Sequence, residues 1–320
     1  MQTLTRTETA AFLAEQNQFT ILTHRRPDGD TLGCAALLCR GLRSLGKIAH
    51  ILENPEITAK YANLHVGLTK AAPEPGDTLI CVDVASPGML PEAFVPYREQ
   101  IALRIDHHGS ATSFTEQELV EPLAAACAEI IYGVLTQMGV SLDVPMADAL
   151  FTAISTDTGC FRYANTTADT FLAAAACAQV SKNLFAITQA LFETNTLGRL
   201  RLQGWLVENA IFLEKGAVAI CPLPKAVEQE LGLTEDDLEN ISGFPRTIEG
   251  VKMAATLRED GGSRIKISVR AVPGWDASAV CAKFGGGGHK GAAGASMNCT
   301  MNEAVEALKE AIKEVIDSFC

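Results

Sequence analysis

The stretch Phe19-Thr20-Ile21-Leu22-Thr23-His24-Arg25-Arg26-Pro27-Asp28-Gly29-Asp30 reads as a buried strand that breaks off into a polar turn. Phe19–Leu22 is a short apolar run, and Pro-Asp-Gly is a turn signal. Leu32–Leu45 then repeats apolar residues at helical spacing and stops near Gly46. The runs Ile48–Leu52, Thr78–Val84 and Ile101–Ile105 read as further buried strands. Strands alternating with helices predict an α/β fold with a parallel, doubly wound sheet. Past residue 123 the pattern turns helical, over Ala124–Met138, Ala147–Ser155, Ala168–Val180, Leu184–Glu193 and Leu197–Asn209. A second region follows, with strands near Ala217–Cys221, Gly250–Arg258 and Arg264–Ala271. Its helices are expected near Lys225–Leu231, Ala277–Phe284 and Asn302–Ser318, the last clearly amphipathic. The expected division is a first α/β domain over 1–196, a linker helix region over 197–212 and a smaller α/β domain over 213–320.

The 320 residues are 48% hydrophobic and 20% charged, which excludes a disordered chain. The formal charge of −12 excludes a uniformly basic nucleic-acid coat. Between Arg246 and Lys290, however, eight Lys/Arg face four Asp/Glu. A basic zone on an acidic chain suits an anion held at one place rather than a polyanion track. The apolar run Phe171–Ala178 is far below the roughly 20 residues of a membrane span. Met1–Thr20 has no apolar signal core. The cysteines at 34, 39, 81, 127, 160, 177, 221, 281, 299 and 320 form no CxxC and sit mostly singly in apolar segments. They read as small buried hydrophobes of a reducing cytosol, so a cytoplasmic protein is expected, without a zinc ribbon or thiol nucleophile.

Four segments place polar residues where a core would not take them. His24, Asp28 and Asp30 leave the first strand together; the turn and a helix N-cap at Asp30 account for them as well as ligation does. Asp83 closes an apolar run, as a cap of the next turn or as a ligand at a strand's carboxyl end. Asp106-His107-His108 ends another strand, and adjacent histidines after an aspartate favour a metal or phosphate site. Asp157, in Ser155-Thr156-Asp157-Thr158-Gly159, follows an apolar helix that Gly159 could simply stop. Together these four aspartates (28, 30, 83, 157) and two histidines (24, 107) are mixed O/N donors. Such a set suits Mn²⁺ or a similar ion better than Ca²⁺ or a thiolate zinc site. Four carboxylates also balance two divalent ions, and a neutralised pair can hold a phosphate.

In this arrangement the sequence resembles the DHH phosphoesterase superfamily, through His24-x-x-x-Asp28-x-Asp30, Asp83, Asp106-His107-His108 and Asp157 in the family's order over residues 19–165. The resemblance implies that His24, Asp28 and Asp83 hold one Mn²⁺, and Asp30, Asp83, His107 and Asp157 the other, with Mg²⁺ or Co²⁺ as substitutes. It implies that His108 faces the substrate phosphate and that Asp106 orients the histidine pair; Arg162, just beyond the fourth motif, is a further candidate for stabilising phosphoryl charge.

Lys283-Phe284-Gly285-Gly286-Gly287-Gly288-His289-Lys290-Gly291 resembles the glycine-rich signature of the DHH-associated domain. Glycines let backbone N–H groups approach an anion closely. A flexible linker is the plainer alternative, but the flanking Lys and His favour a packed loop. The resemblance implies nucleotide contacts from Gly287, Gly288, His289 and Arg270 across an interdomain cleft. Arg258 is a weaker candidate and reads equally as an exposed strand residue; Ala271 stands where relatives often carry Ser. RecJ-type exonucleases are longer, membrane-anchored cyclic-di-AMP phosphodiesterases need N-terminal spans, and manganese pyrophosphatases lack this loop. The resemblance therefore narrows to the short oligoribonuclease (nanoRNase) and pAp-phosphatase branch. Its expected substrates are pAp, pApA and two- to five-mers, with no long nucleic-acid track and no membrane. A pyrophosphatase or exopolyphosphatase, or a non-catalytic nucleotide sensor, are the alternative functions. A homodimer is compatible with the sequence and not specified by it.

Overall fold

In the computed structural model, which describes residues 2–109, 112–238 and 241–317, the chain divides into two units, Met1–Thr194 and Asn195–Cys320. The first carries seven strands: β1 (Gln2–Thr3), β2 (Gln18–Leu22), β3 (Ile48–Leu52), β4 (Thr69–Lys70), β5 (Thr78–Val82), β6 (Ile101–Asp106) and β7 (Gln117–Val120). They pair in the order β1-β7-β6-β5-β2-β3-β4, every pair parallel. Both faces of such a sheet are covered, so its strands are nearly continuous apolar runs. Phe19, Ile21, Ile51, Ile80, Val82, Leu103 and Ile105 are all essentially inaccessible.

The chain runs outward from β2 through β3 and β4 on one side, and from β5 through β6 and β7 on the other. The order thus reverses between β2 and β5, and such a switch point opens a crevice at the carboxyl ends of the strands. Strands β6, β5 and β2 are neighbours, so the three polar segments leaving them emerge side by side.

The helices of this unit are α1 (Arg6–Glu15), α2 (Gly29–Ser44), α3 (Cys127–Gln137), α4 (Val144–Asp157), α5 (Ala168–Val180) and α6 (Leu184–Thr188). Helices α2 and α4 touch closely because α2 carries glycine at the contact. A Cβ on Gly33 would stand 2.5 Å from the Ala149 carbonyl oxygen, and one on Gly29 would overlap the Thr156 side chain. This approach sets Asp28 and Asp30, at the start of α2, beside Asp157, at the end of α4.

The second unit has α7 (Leu197–Glu208), α8 (Lys225–Glu230), α9 (Glu235–Leu238), α10 (Ala277–Ala282) and α11 (Met301–Asp317). Its strands β8 (Ile211–Leu213), β9 (Val218–Leu223), β10 (Met253–Glu259), β11 (Arg264–Ala271), β12 (Gly287–His289) and β13 (Ala292–Asn298) pair as β12-β13-β11-β10-β9-β8. Only the β9–β10 pair among them is parallel. Helix α11 lays Ala304, Leu308, Ala311, Ile312 and Val315 onto the core of this sheet, the face its periodicity predicts.

Helix α7 packs Leu202 and Leu206 against Cys221 and Leu223. Several elements differ from the expectation. Helix α1 and strands β1, β4, β7, β8, β12 and β13 were not anticipated; β1 and β4 are two residues long, and β13 is built from Ala, Gly and Ser. The glycine-rich segment is a hairpin strand rather than a loop. The helix expected over 184–193 is α6 followed by a π-helical turn over Gln189–Glu193. Ser318 and Cys320 lie outside the described residues. The other nine cysteines are free and seven are buried. Among the described residues no helix is long and apolar enough to cross a membrane.

Candidate metal centre

The polar segment after β2 is shaped by its own turn. Asp28, not Asp30, is the N-cap of α2: its Oδ1 accepts the backbone N–H of Asp30 at 3.0 Å and of Thr31 at 3.3 Å. Asp30 sits inside the first turn and is fully buried. There its Oδ2 accepts the Cys127 N–H at 2.7 Å, and its Oδ1 the Ala128 N–H at 3.2 Å and the Cys34 thiol at 3.2 Å. His24 donates from Nδ1 to the Arg25 carbonyl at 2.7 Å. That bond leaves Nε2 as the basic nitrogen of the neutral ring. Nε2 lies 3.6 Å from Asp28 Oδ1 and 3.5 Å from Asp83 Oδ2.

Asp83 is the first residue beyond β5 and holds a left-handed φ of 58°. Such a conformation is uncommon for a non-glycine residue, although aspartate tolerates it. Its Oδ1 is buried without a hydrogen-bond partner among the described residues. His107 repeats the logic of His24: Nδ1 donates to the Ala124 carbonyl at 3.1 Å, and Nε2 turns inward. Nε2 stands 3.2 Å from Asp157 Oδ2, 3.5 Å from Asp83 Oδ1 and 3.9 Å from Asp30 Oδ2. His108 is tied differently, its Nδ1 donating to Asp106 Oδ1 at 2.7 Å.

Three donor groups result, each with its ligand atoms within 4.8 Å of one another: His24, Asp28 and Asp83; Asp30, His107 and Asp157; and Asp83, His107 and His108. All six residues expected as ligands therefore converge on one place, with Asp83 common to two groups. The end of α4 is both things the sequence allowed: Gly159, at φ 56°, follows the stop of the helix, and Asp157 points into the cluster.

Electrostatics tests whether a cation fits. Burial, together with the charges of Asp30, Asp83 and Asp28, pushes Asp157 up to about 10. Burial and the charges of Asp83 and Asp28 raise Asp30 well above the ordinary carboxylate range. Burial also raises Asp83. Burial opposes the charged form of His24, yet Asp28 and Asp83 carry it up to about 10. Carboxylates packed this tightly repel one another, and the cluster's proton affinity reports the demand for positive charge. With the orphaned Asp83 oxygen and two histidines presenting Nε2, the donor set fits divalent cations.

The remaining candidates belong to none of these donor groups. Arg162 donates from Nε to the Gly159 carbonyl at 2.6 Å, and its terminal nitrogens have no partner among the described residues. In the second unit Arg270 is half-buried on β11 between Ala254 and Ala292, small neighbours on both flanking strands. Gly287, Gly288 and His289 form the exposed edge strand β12. Gly288 has φ 143°, and a Cβ there would stand 2.5 Å from the Ala292 carbonyl oxygen, so this segment is packed rather than a loose linker. Arg258 is engaged elsewhere. Its guanidinium binds Glu228 at 2.6 Å and Glu235 at 2.9 Å, because the buried Glu228 needs a counterion.

The sequence reading missed two residues. Asn54, buried two residues beyond β3, donates to Thr23 Oγ1 and to the His24 carbonyl, both at 2.9 Å, and so fixes the His24 turn. A polar residue soon after an apolar run was its signal, the same signal that singled out Asp83. The other is Arg104, inside β6.

Residues 18–154 match the DHH family, N-terminal domain, and residues 216–318 match the DHHA1 domain. The chain is 32% identical over 299 residues to the bifunctional oligoribonuclease and PAP phosphatase NrnA of Thermus thermophilus, covering 92% of this chain and 89% of that protein. It is 25% identical to the protein of that name from Bacillus subtilis, covering 87% and 89%. Among solved structures, an exopolyphosphatase-related protein from Bacteroides fragilis superposes with a TM-score of 0.87 at 23% identity, over 98% of this chain and 97% of that one.

Proposed function

The chain belongs to the DHH family, whose N-terminal and DHHA1 domains it both carries, and from that premise we propose that it is a manganese-dependent hydrolase of short oligoribonucleotides and pAp. The products would be 5′-mononucleotides from substrates such as pApA, and AMP with phosphate from pAp. One observation carries the reading: six donors from four separate segments meet around Asp83.

In this reading His24, Asp28 and Asp83 would hold one ion, and Asp30, Asp83, His107 and Asp157 the other. When bound, such a pair lowers the pKa of water and offsets charge on phosphoryl oxygens. The rest falls to the protein. The Nδ1 bonds of His24 and His107 to backbone carbonyls keep their Nε2 atoms basic and aimed. Asp106 accepts from His108 Nδ1, raising that ring's pKa, so a protonated Nε2 can donate to a phosphoryl oxygen. Arg162 would offer the same charge its two terminal nitrogens, which have no partner among the described residues. In the second unit Arg270, the Gly287 and Gly288 backbone and His289 would bind the remaining nucleotide, the ring of His289 being exposed for stacking on a base.

A parallel assay with Mn²⁺ of pAp, pApA, a short RNA ladder, cyclic-di-AMP and pyrophosphate tests the reading. Turnover of pApA, the shortest RNAs and pAp, abolished by chelation, is expected. Turnover of pyrophosphate alone, or binding of nucleotides without turnover, would overturn it.

A further inference from the structure

We propose that Arg104 is a positioning residue for His108, holding Asp106 from beneath so that the imidazole presents Nε2 to the phosphate. The inference rests on the reading of His108 as the phosphate-facing histidine. Arg104 is 1% exposed, the largest fully buried side chain among the described residues. Alternation along β6 places Arg104 and Asp106 on the same face of the sheet, with Ile105 opposite. Burying a guanidinium is costly, and an apolar residue usually serves a core better. Its partners say what is gained.

Glu118, directly across on β7, accepts from Nη2 at 2.7 Å and balances the charge. The other terminal nitrogen, Nη1, is turned the opposite way. It donates to the carbonyls of Val84 at 3.4 Å, Ala85 at 3.3 Å and Thr112 at 3.4 Å, and stands 3.5 Å from Asp106 Oδ2. Phe114 covers the guanidinium with its ring, 5.4 Å from Cζ. A lysine could neutralise Glu118; only a planar fork reaches two carboxylates and three backbone carbonyls at once.

The carboxylate of Asp106 is divided in a matching way. Oδ1 accepts the His107 N–H at 2.8 Å, the His108 N–H at 3.2 Å and His108 Nδ1 at 2.7 Å. Oδ2 is buried, makes no hydrogen bond among the described residues and faces Arg104 Nη1 at 3.5 Å. Removing Arg104 leaves that oxygen uncompensated, and the carboxylate can rotate away from His108. The same nitrogen ties down the two residues after Asp83, joining that left-handed turn to the histidine pair.

The test compares Glu118→Gln, Arg104→Lys and the charge-neutral pair Arg104→Gln/Glu118→Gln, with and without His108→Gln, on the full chain. The Arg104→Gln/Glu118→Gln variant is expected to keep its fold by circular dichroism and its Mn²⁺ stoichiometry by calorimetry. Its kcat for pApA should fall about 10- to 100-fold, the usual loss for a residue supporting a site's ligands, with KM within a factor of three. Glu118→Gln should keep kcat within a factor of three, and Arg104→Lys should recover part of the loss. In the His108→Gln background the Arg104 effect should shrink to under threefold, since residues acting in series are not additive. An unchanged kcat, an equal loss in Glu118→Gln, or an undiminished effect in the His108→Gln background overturns the positioning role. Should the double variant fail to fold, Arg104→Lys against Glu118→Gln decides on the same criteria. A His108→Gln variant with unaltered kcat would instead sink the reading of His108 itself.

Discussion

Asp30 caps the helix that begins at Cys127. Ala126, at the N-cap position of α3, has no side chain for the task, and the Asp30 carboxylate accepts the first two N–H groups in its place. One carboxylate therefore serves the donor cluster and a helix terminus, where a negative charge is favoured. The two roles separate under mutation.

Asp30→Asn keeps an oxygen for the Cys127 N–H and removes a fully buried charge whose pKa is raised by burial and by Asp83 and Asp28. A raised carboxylate pKa means that ionisation opposes folding. In chelator at pH 7, Asp30→Asn should therefore be at least as stable as the parent chain in urea. Asp30→Ala leaves two buried N–H groups unpaired and should lose about 2 kcal/mol. Both should lose hydrolytic activity. A chelator-treated Asp30→Asn protein less stable than Asp30→Ala would contradict the capping role.

Asp83 is shared by two donor groups, so its loss should act on both. Asp83→Asn is the cleaner change than alanine, because asparagine tolerates the left-handed φ of 58°. Its expected effect is a fall in kcat of at least about 100-fold and loss of both bound Mn²⁺ equivalents, with an unaltered far-UV spectrum. Elemental analysis after gel filtration reads the stoichiometry; retention of either ion would count against Asp83 as a ligand that both ions would share.

His289 stands on an exposed edge strand with its ring uncovered. Base stacking is worth about 1–3 kcal/mol. His289→Ala should accordingly raise KM for pApA by about 5- to 150-fold while leaving KM for bis(p-nitrophenyl) phosphate within a factor of two. Steady-state kinetics on the two substrates decides it, and equal shifts would mean that β12 does not hold the nucleotide.

The parallel sheet was legible because its buried strands are unbroken apolar runs, and because Asp83 and Asp106 are polar where such runs end. The six donors were legible for the same reason: a core has no use for them. The short edge strands were not, since two residues such as Thr69 and Lys70 carry no periodicity. Strand β13 was hidden differently. Ala292–Asn298 has weak strand propensity, and it is strand because β11 templates it on one side and the glycine hairpin on the other. The N-cap was misplaced by two residues because Asp28 and Asp30 are equivalent in a turn signal; only the buried N–H groups of Cys127 and Ala128 distinguish them. Arg104 escaped notice since a single basic residue in a strand reads as an exposed one until its neighbours are known.

His65 supplies a pH dependence independent of the donor cluster. It ends the turn Ala62–His65, is 4% exposed, and its Nε2 bonds the Leu32 carbonyl at 2.9 Å, while Nδ1 is buried without a partner among the described residues. Burial lowers its pKa below the ordinary 6.5, against the opposing bond to Leu32. The folded chain therefore keeps the ring neutral where the unfolded chain takes a proton. Stability from this residue is complete above pH 6.5 and declines as pH falls below it, until the depressed folded pKa is reached. The limiting slope is about 1.4 kcal/mol per pH unit. Urea midpoints in chelator between pH 7.5 and 5 should fall more steeply for the parent chain than for His65→Gln, whose amide donates to Leu32 without titrating. Parallel curves for the two proteins would show that His65 protonates in the folded state as readily as in the unfolded one.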